Sequence, residues 1–123
     1  MPRLSAEERA TIFMGVPTML KRIADVPAFA ESELPDLLYV LSGGEPCPLP
    51  LIDTWHAKEI YIRQGYGMTE AGPNLFSLHQ NDAKSHAGSI GRPNFMVQTR
   101  VVDEAGNDCP VSTTGELWIK GPM

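Results

Sequence analysis

Leu37-Leu-Tyr-Val-Leu-Ser-Gly-Gly-Glu-Pro46 decides how the rest of the chain is read. Its first five residues form a continuous apolar run of strand length, the pattern of a strand buried on both faces of a parallel sheet. Glycines follow at once, where the chain must turn. From Pro48 to Lys58 the apolar residues Leu51, Ile52 and Trp55 fall on one helical face. The prolines there sit in the first turn, where a missing N–H is tolerated. Ile60-Tyr-Ile-Arg-Gln64 is then a second strand. Together these pieces make a β-α-β unit over about residues 37–72. A right-handed crossover sets its strands parallel and brings their C-terminal ends to one edge of the sheet. Gly43-Gly44-Glu45 and the stretch from Gly65 to Gly72 begin at those ends. Two glycine-rich loops are therefore expected side by side, where open α/β sheets take their ligands.

The second loop lies in Gln64-Gly-Tyr-Gly-Met-Thr-Glu-Ala-Gly72. Its glycines let a ligand approach the main chain closely. Tyr66 offers a face on which a flat base can stack, Thr69 a hydroxyl for a phosphate oxygen, and Glu70 hard oxygens for Mg2+. The group reads as a site for a nucleotide and its metal. Taken alone, the same residues also describe a tight strand-to-helix turn with a surface glutamate. The neighbouring Gly43-Gly44 loop is what favours a shared site.

Outward from this unit, Ser5 to Phe13 reads as a short helix with Ser5 as N-cap and Glu8 completing a capping box. Gly15-Val-Pro17 interrupts it, and Pro17 opens a second helix through Met19, Leu20 and Ile23. Pro27 and Pro35 bracket a loop or short helix around Phe29. On the other side, Asn74 to Leu78 reads as a short strand and His79 to Gly91 as a polar loop. Val97–Asp103 and Glu116–Lys120 are rich in strand formers, with a turn at Glu104-Ala-Gly-Asn107. The fold class is α/β: a parallel β-α-β portion followed by an antiparallel section over about residues 95–121.

Composition narrows the function. The chain has 123 residues, 42% of them hydrophobic, enough for one packed domain at most. Its net charge is −5 and its ten basic residues are scattered, which argues against a nucleic-acid partner. Cys47 and Cys109 lie far apart with no metal-ligand spacing, so no structural zinc is expected; reduced thiols are the default, and the sequence leaves a disulfide between them open. The N-terminus lacks the apolar core of a signal peptide, and no run nears the ~20 apolar residues of a membrane span. A soluble, cytoplasmic protein is expected. Both ends look cut, so the chain is expected to be part of a larger domain whose remainder is missing.

Four segments, in order, resemble the adenylate-forming acyl-CoA synthetase (AMP-binding) superfamily. They are Gly15-Val-Pro-Thr-Met-Leu20, Leu41-Ser-Gly-Gly-Glu-Pro46, Gln64 to Gly72, and Gly88-Ser-Ile-Gly-Arg-Pro93 together with Gly115-Glu-Leu-Trp-Ile-Lys-Gly121. The resemblance implies that residues 1–123 are the middle of a large adenylate-forming domain. It implies that Gly43, Gly44, Glu45 and Pro46 flank adenine and the acyl group, that Tyr66 stacks on adenine, and that Gly65, Gly67 and Met68 line the adenylate pocket. Thr69 would touch the α-phosphate and Glu70 would bind Mg2+, making these two the catalytic pair. The implied reaction joins a carboxylic acid to ATP, giving acyl-AMP and pyrophosphate, and then passes the acyl group to CoA. Met68 with Ala71-Gly72-Pro73 resembles ligases of fatty or aromatic acids more than the amino-acid-activating domains of peptide synthetases, the alternative within the family. A remnant that binds a nucleotide or partner without catalysis is the alternative outside it.

The family's Ser/Thr/Gly-rich phosphate loop, its ribose-binding aspartate segment and its catalytic lysine domain are not in this sequence, so the chain alone is expected to be inactive. Cys47 adjoins the Gly-Gly loop but has no evident base to make it a nucleophile. His56, His79 and His86 read as surface residues, Trp55 and Trp118 as packing, and Arg92 as a partner for a carboxylate that fixes its loop.

Overall fold

The computed structural model describes residues 7–122. Strand β1 (Ile12–Gly15) leads into helices α1 (Pro17–Ala24) and α2 (Pro27–Glu31), then strand β2 (Tyr39–Ser42). Helix α3 (Leu49–His56) connects β2 to β3 (Tyr61–Met68), which is followed by β4 (Gly72–Ser77), a short 3-10 turn (Gln80–Asp82) and β5 (Arg92–Pro93). These five strands form one sheet in the order β1-β2-β3-β4-β5. The first three are parallel; β4 and β5 run antiparallel to their neighbours. β6 (Gln98–Val102) and β7 (Glu116–Lys120) form a separate antiparallel pair. The expected α/β class, parallel portion first and antiparallel portion after it, is what the chain adopts.

The helices start where proline allows. Pro17 and Pro27 open α1 and α2, and Pro48 is the N-cap of α3 with Pro50 in its first turn. At the far end of α3, Glu59 takes the left-handed conformation (φ 59°) more often given to glycine. Leu20, Phe29, Ile52 and Trp55 from the three helices pack on Val40 of β2 and Ile62 of β3. The strands alternate accordingly: Val40, Ser42, Ile62 and Gln64 are buried, whereas Tyr39, Leu41, Tyr61 and Arg63 are half-exposed. β2 is thus fully buried on one face only, unlike the two-faced burial its apolar run predicts. On the more open face the Arg63 guanidinium lies 4.5 Å from the centre of the Tyr39 ring.

The helix expected over Ser5–Phe13 does not form as read. Ser5 and its cap lie outside the described residues, Arg9 turns at φ 51°, and Ile12 and Phe13 belong to a strand. Pairing with β2 decides this: Ile12 sits opposite Tyr39, and the Leu38 N–H donates to the Thr11 carbonyl at 2.8 Å. The turn after β6 starts at Asp103, which accepts the Asn107 and Ala105 N–H groups at 2.8 and 3.0 Å. That turn closes onto a bridge between Val102 and Asp108, and β7 pairs only after a further loop. Arg92 lies 3.9 Å from Asp82, the carboxylate pairing expected of it.

His56 is not a plain surface residue. Its Nε2 accepts the Ile62 N–H at 3.1 Å, which requires the unprotonated ring. Burial holds its pKa below the ordinary 6.5, Asp53 opposing and Lys84 adding to the effect. A depressed pKa on a base means stability that is full above pH 6.5 and is lost as pH falls below it. Thermal melts between pH 7.5 and 4.5 are expected to show that decline, and His56→Gln, which keeps an acceptor but cannot titrate, should flatten part of it. An unchanged slope in the variant would remove His56 as the cause.

Candidate functional site

Ser42 at the end of β2 is in register with Gln64 of β3, which places Gly43 beside Gly65. The approach is close: a Cβ on Gly43 would lie 3.4 Å from the Gly65 carbonyl oxygen. Gly44 follows at φ 88°, a left-handed turn that suits glycine. Gly43, Gly44, Gly65 and Tyr66 are therefore brought together at one edge, as the topology predicts.

The nine-residue stretch differs from its reading as a loop. β3 does not stop at Gln64; it runs on through Gly65, Tyr66 and Gly67 to Met68 and returns as β4. The pairing slips between Tyr66 and Met68, the mark of a bulge at Gly67. Gly67 is required there, because a Cβ would lie 2.6 Å from the Asn74 nitrogen and 3.0 Å from the Pro73 Cα. Tyr66 is half-buried and meets Phe76 edge-on, with ring centres 5.9 Å apart at 70°. The turn of this hairpin, closed by the Ala71 N–H on the Met68 carbonyl at 3.3 Å, carries Thr69 and Glu70. Both are exposed, and the Glu70 carboxylate forms no ion pair among the described residues.

The remaining candidates open onto different hollows. Glu45 and Pro46 border a cavity of about 420 Å³ with Pro17, Lys21 and Leu51, between α1 and α3. Met68 instead joins Ala71, Leu117 and Ile119 along a groove of about 640 Å³ between the hairpin and the β6–β7 pair. Among the described residues no cluster of three or more His, Cys, Asp or Glu could hold a metal. One exposed carboxylate fits Mg2+ carried by a nucleotide, since that ion is commonly held by one or two carboxylates plus phosphate oxygens.

Cys47 is buried, and burial pushes its thiol above the ordinary range, more than the nearby Ser42 hydroxyl lowers it. An inert structural cysteine fits that environment better than a nucleophile. Two residues carry roles that the sequence does not advertise. His56 accepts a backbone N–H of β3, and Gln64 is buried with both ends of its carboxamide bonded. Neither role has a local signature, because the partners come from elsewhere in the chain.

A family model described as "AMP-binding enzyme" matches residues 1–123. The chain belongs to that family. It is 35% identical over 116 residues to a feruloyl-CoA synthase from an Amycolatopsis species, covering 94% of this chain and 24% of the relative. It is 38% identical over 113 residues to the long-chain-fatty-acid–CoA ligase FadD13 of Mycobacterium tuberculosis, covering 92% of this chain and 22% of that one. Among solved structures it is similar to O-succinylbenzoate coenzyme A synthetase (MenE) from Bacillus subtilis in complex with ATP and magnesium ion. That similarity has a TM-score of 0.76 and 27% identity, over 98% of this chain and 24% of that one. The chain thus spans about a quarter of the length of these relatives. Among the described residues no helix is long and apolar enough to cross a membrane.

Proposed function

We propose that this AMP-binding chain forms one wall of the nucleotide site of a cytoplasmic, ATP-dependent acid–CoA ligase acting on a fatty or aromatic acid. The observation that carries the reading is the meeting of Gly43-Gly44 with Gly65-Tyr66, next to a hairpin turn that presents Thr69 and Glu70. Bare main chain at the two glycines leaves room for adenine, and the half-buried Tyr66 ring gives it a stacking surface. Gly67 and Met68 would line the acyl-adenylate pocket from the hairpin side, and the loop of Glu45 and Pro46, whose side chains border a separate hollow in this chain, would flank it.

The acid's carboxylate would attack the α-phosphorus of ATP, releasing pyrophosphate and leaving acyl-AMP; the CoA thiol would then take the acyl group and release AMP. The Thr69 hydroxyl would donate to an α-phosphate oxygen, and Glu70 would hold Mg2+, which when bound offsets charge on the phosphates. Relatives named for feruloyl and long-chain fatty acids support the substrate class, and the magnesium and ATP in the MenE complex support the cofactors.

The test is acid-dependent pyrophosphate exchange in the full-length protein that carries this chain, with fatty, aromatic and amino acids as the panel. Exchange with fatty or aromatic acids and Mg2+ is expected, together with none from residues 1–123 alone. Exchange only with amino acids would move the protein to the peptide-synthetase branch. No exchange with any acid would leave the ligase reading without support.

A further inference from the structure

One buried side chain joins two segments that lie far apart in the sequence. Gln64 is only 4% exposed and lies on the helix-facing side of β3, in register with Ser42. Its Oε1 accepts the Cys47 N–H at the end of the Gly43–Cys47 loop. Its Nε2 donates to the Gly88 carbonyl at 2.8 Å, in the connection between β4 and β5. That connection is itself seated: Ala87 packs on the helical core, and Gly88 lies against Leu49 in the first turn of α3. Among the described residues no other hydrogen bond joins the two segments.

The chemistry at this point is demanding. The buried Cys47 N–H needs an acceptor that water does not freely supply, and the Gly88 carbonyl, in an exposed residue, takes its donor from the same side chain. A carboxamide supplies both at once. A carboxylate of the same size has no N–H to give, a thioether supplies neither, and asparagine is one methylene shorter. The same residue's carbonyl also accepts the Leu78 N–H at 2.9 Å, so its backbone is fixed while its side chain bridges.

We propose that Gln64 is a positioning residue whose carboxamide holds the Gly43–Cys47 loop and the segment at Gly88 as one unit. The loop's place in the nucleotide wall then depends on a segment that has no proposed contact with the nucleotide. The joining of the segments stands on geometry alone; its effect on nucleotide binding rests on the function proposed above. Gly88-Ser-Ile-Gly-Arg-Pro93, which the sequence marks without assigning it chemistry, thereby acquires a route to the site.

The experiment uses the full-length protein, its Gln64→Glu and Gln64→Met variants, hydrogen-exchange mass spectrometry, and steady-state kinetics in ATP. Gln64→Glu keeps an acceptor for Cys47 but opposes two oxygens at Gly88. It is expected to speed exchange about tenfold over residues 84–90, the scale of one lost hydrogen bond, and, because the two segments are held as one unit, to speed it over residues 43–49 as well, to a smaller degree. Gln64→Met should speed both segments and raise KM for ATP about tenfold while kcat changes less. Should Gln64→Met not fold, Gln64→Glu alone decides the coupling.

Unchanged exchange in both segments, the same acceleration across the whole chain, or a loosened Gly88 segment beside a fully protected loop in Gln64→Glu would overturn the proposal. Loosened segments with an unchanged KM for ATP would overturn the positioning role while leaving the coupling. A parent protein inactive with every acid would count against the proposed function, and the exchange data would still decide the coupling.

Discussion

Trp55→Ala is expected to lower the stability of the chain by about 3–5 kcal/mol, the usual range for deleting a large buried aromatic. Trp55 is 2% exposed and packs against Phe29 with ring centres 4.7 Å apart at 53°. It is the largest side chain in the cluster that fastens the helices to β2 and β3, so its loss leaves a void in that cluster. Lys58 closes the outer side, its ammonium 5.2 Å from the centre of the Phe29 ring and bonded to the Ala30 carbonyl at 3.1 Å. With whole-domain stabilities of about 5–15 kcal/mol, a loss of this size removes a large share of the total. Trp55→Phe makes the comparison sharp. The indole N–H has no hydrogen-bond partner among the described residues, so the smaller ring removes an unpaired donor while keeping an aromatic contact. Its expected cost is well below that of Trp55→Ala, because far less buried volume is deleted. Urea unfolding of both variants measures the difference; equal midpoints would mean that Trp55 is not the packing anchor.

What the sequence reveals follows from the range of the forces involved. The β2-α3-β3 unit is legible because its signals are local: a five-residue apolar run, a helical face through Ile52 and Trp55, and prolines at a helix start. Once those elements are in place, topology alone brings Gly43 next to Gly65. β1 is misread because Ala6-Glu-Glu-Arg-Ala10 has helix-forming composition that extends smoothly into Ile12 and Phe13. The strand there is decided by pairing with Tyr39 and Val40, which no local window contains. The stretch from Gln64 to Gly72 is misread in a related way. Its glycines signal a loop, but Gly67 is a glycine so that the Asn74 backbone can pass beside it in a hairpin. Gln64 and His56 are polar residues whose partners lie in other elements, so their identity gives no hint of the bonds they make.

Gly91→Ala is expected to cost about 2–5 kcal/mol, combining the left-handed penalty of ~1–2 kcal/mol with overpacking of ~1–3 kcal/mol. Gly91 has φ 82°, and a Cβ there would lie 2.1 Å from the Ser77 carbonyl oxygen and 2.4 Å from the Leu78 Cα. Those atoms are main chain, so no rotamer change relieves the overlap; the end of β4 has to move. Gly44→Ala separates the two contributions. Gly44 is also left-handed at φ 88°, but its nearest obstacle is a Val16 methyl at 3.7 Å, an ordinary contact. Its cost should therefore stay near the ~1–2 kcal/mol of conformation alone. The consequence of Gly91→Ala should also be directional. Ser77 is paired with Arg92 on one side and with Gly65 on the other, so displacing it pulls on the strand that flanks Gly43. Denaturant melts of the two alanine variants, with hydrogen exchange over residues 64–78, provide the readout. If Gly91→Ala costs no more than Gly44→Ala and leaves that segment protected, the close approach at Ser77 does not shape the site. A larger cost with faster exchange in β3 and β4 would show how a glycine remote from the chemistry keeps Gly65 and Tyr66 in place.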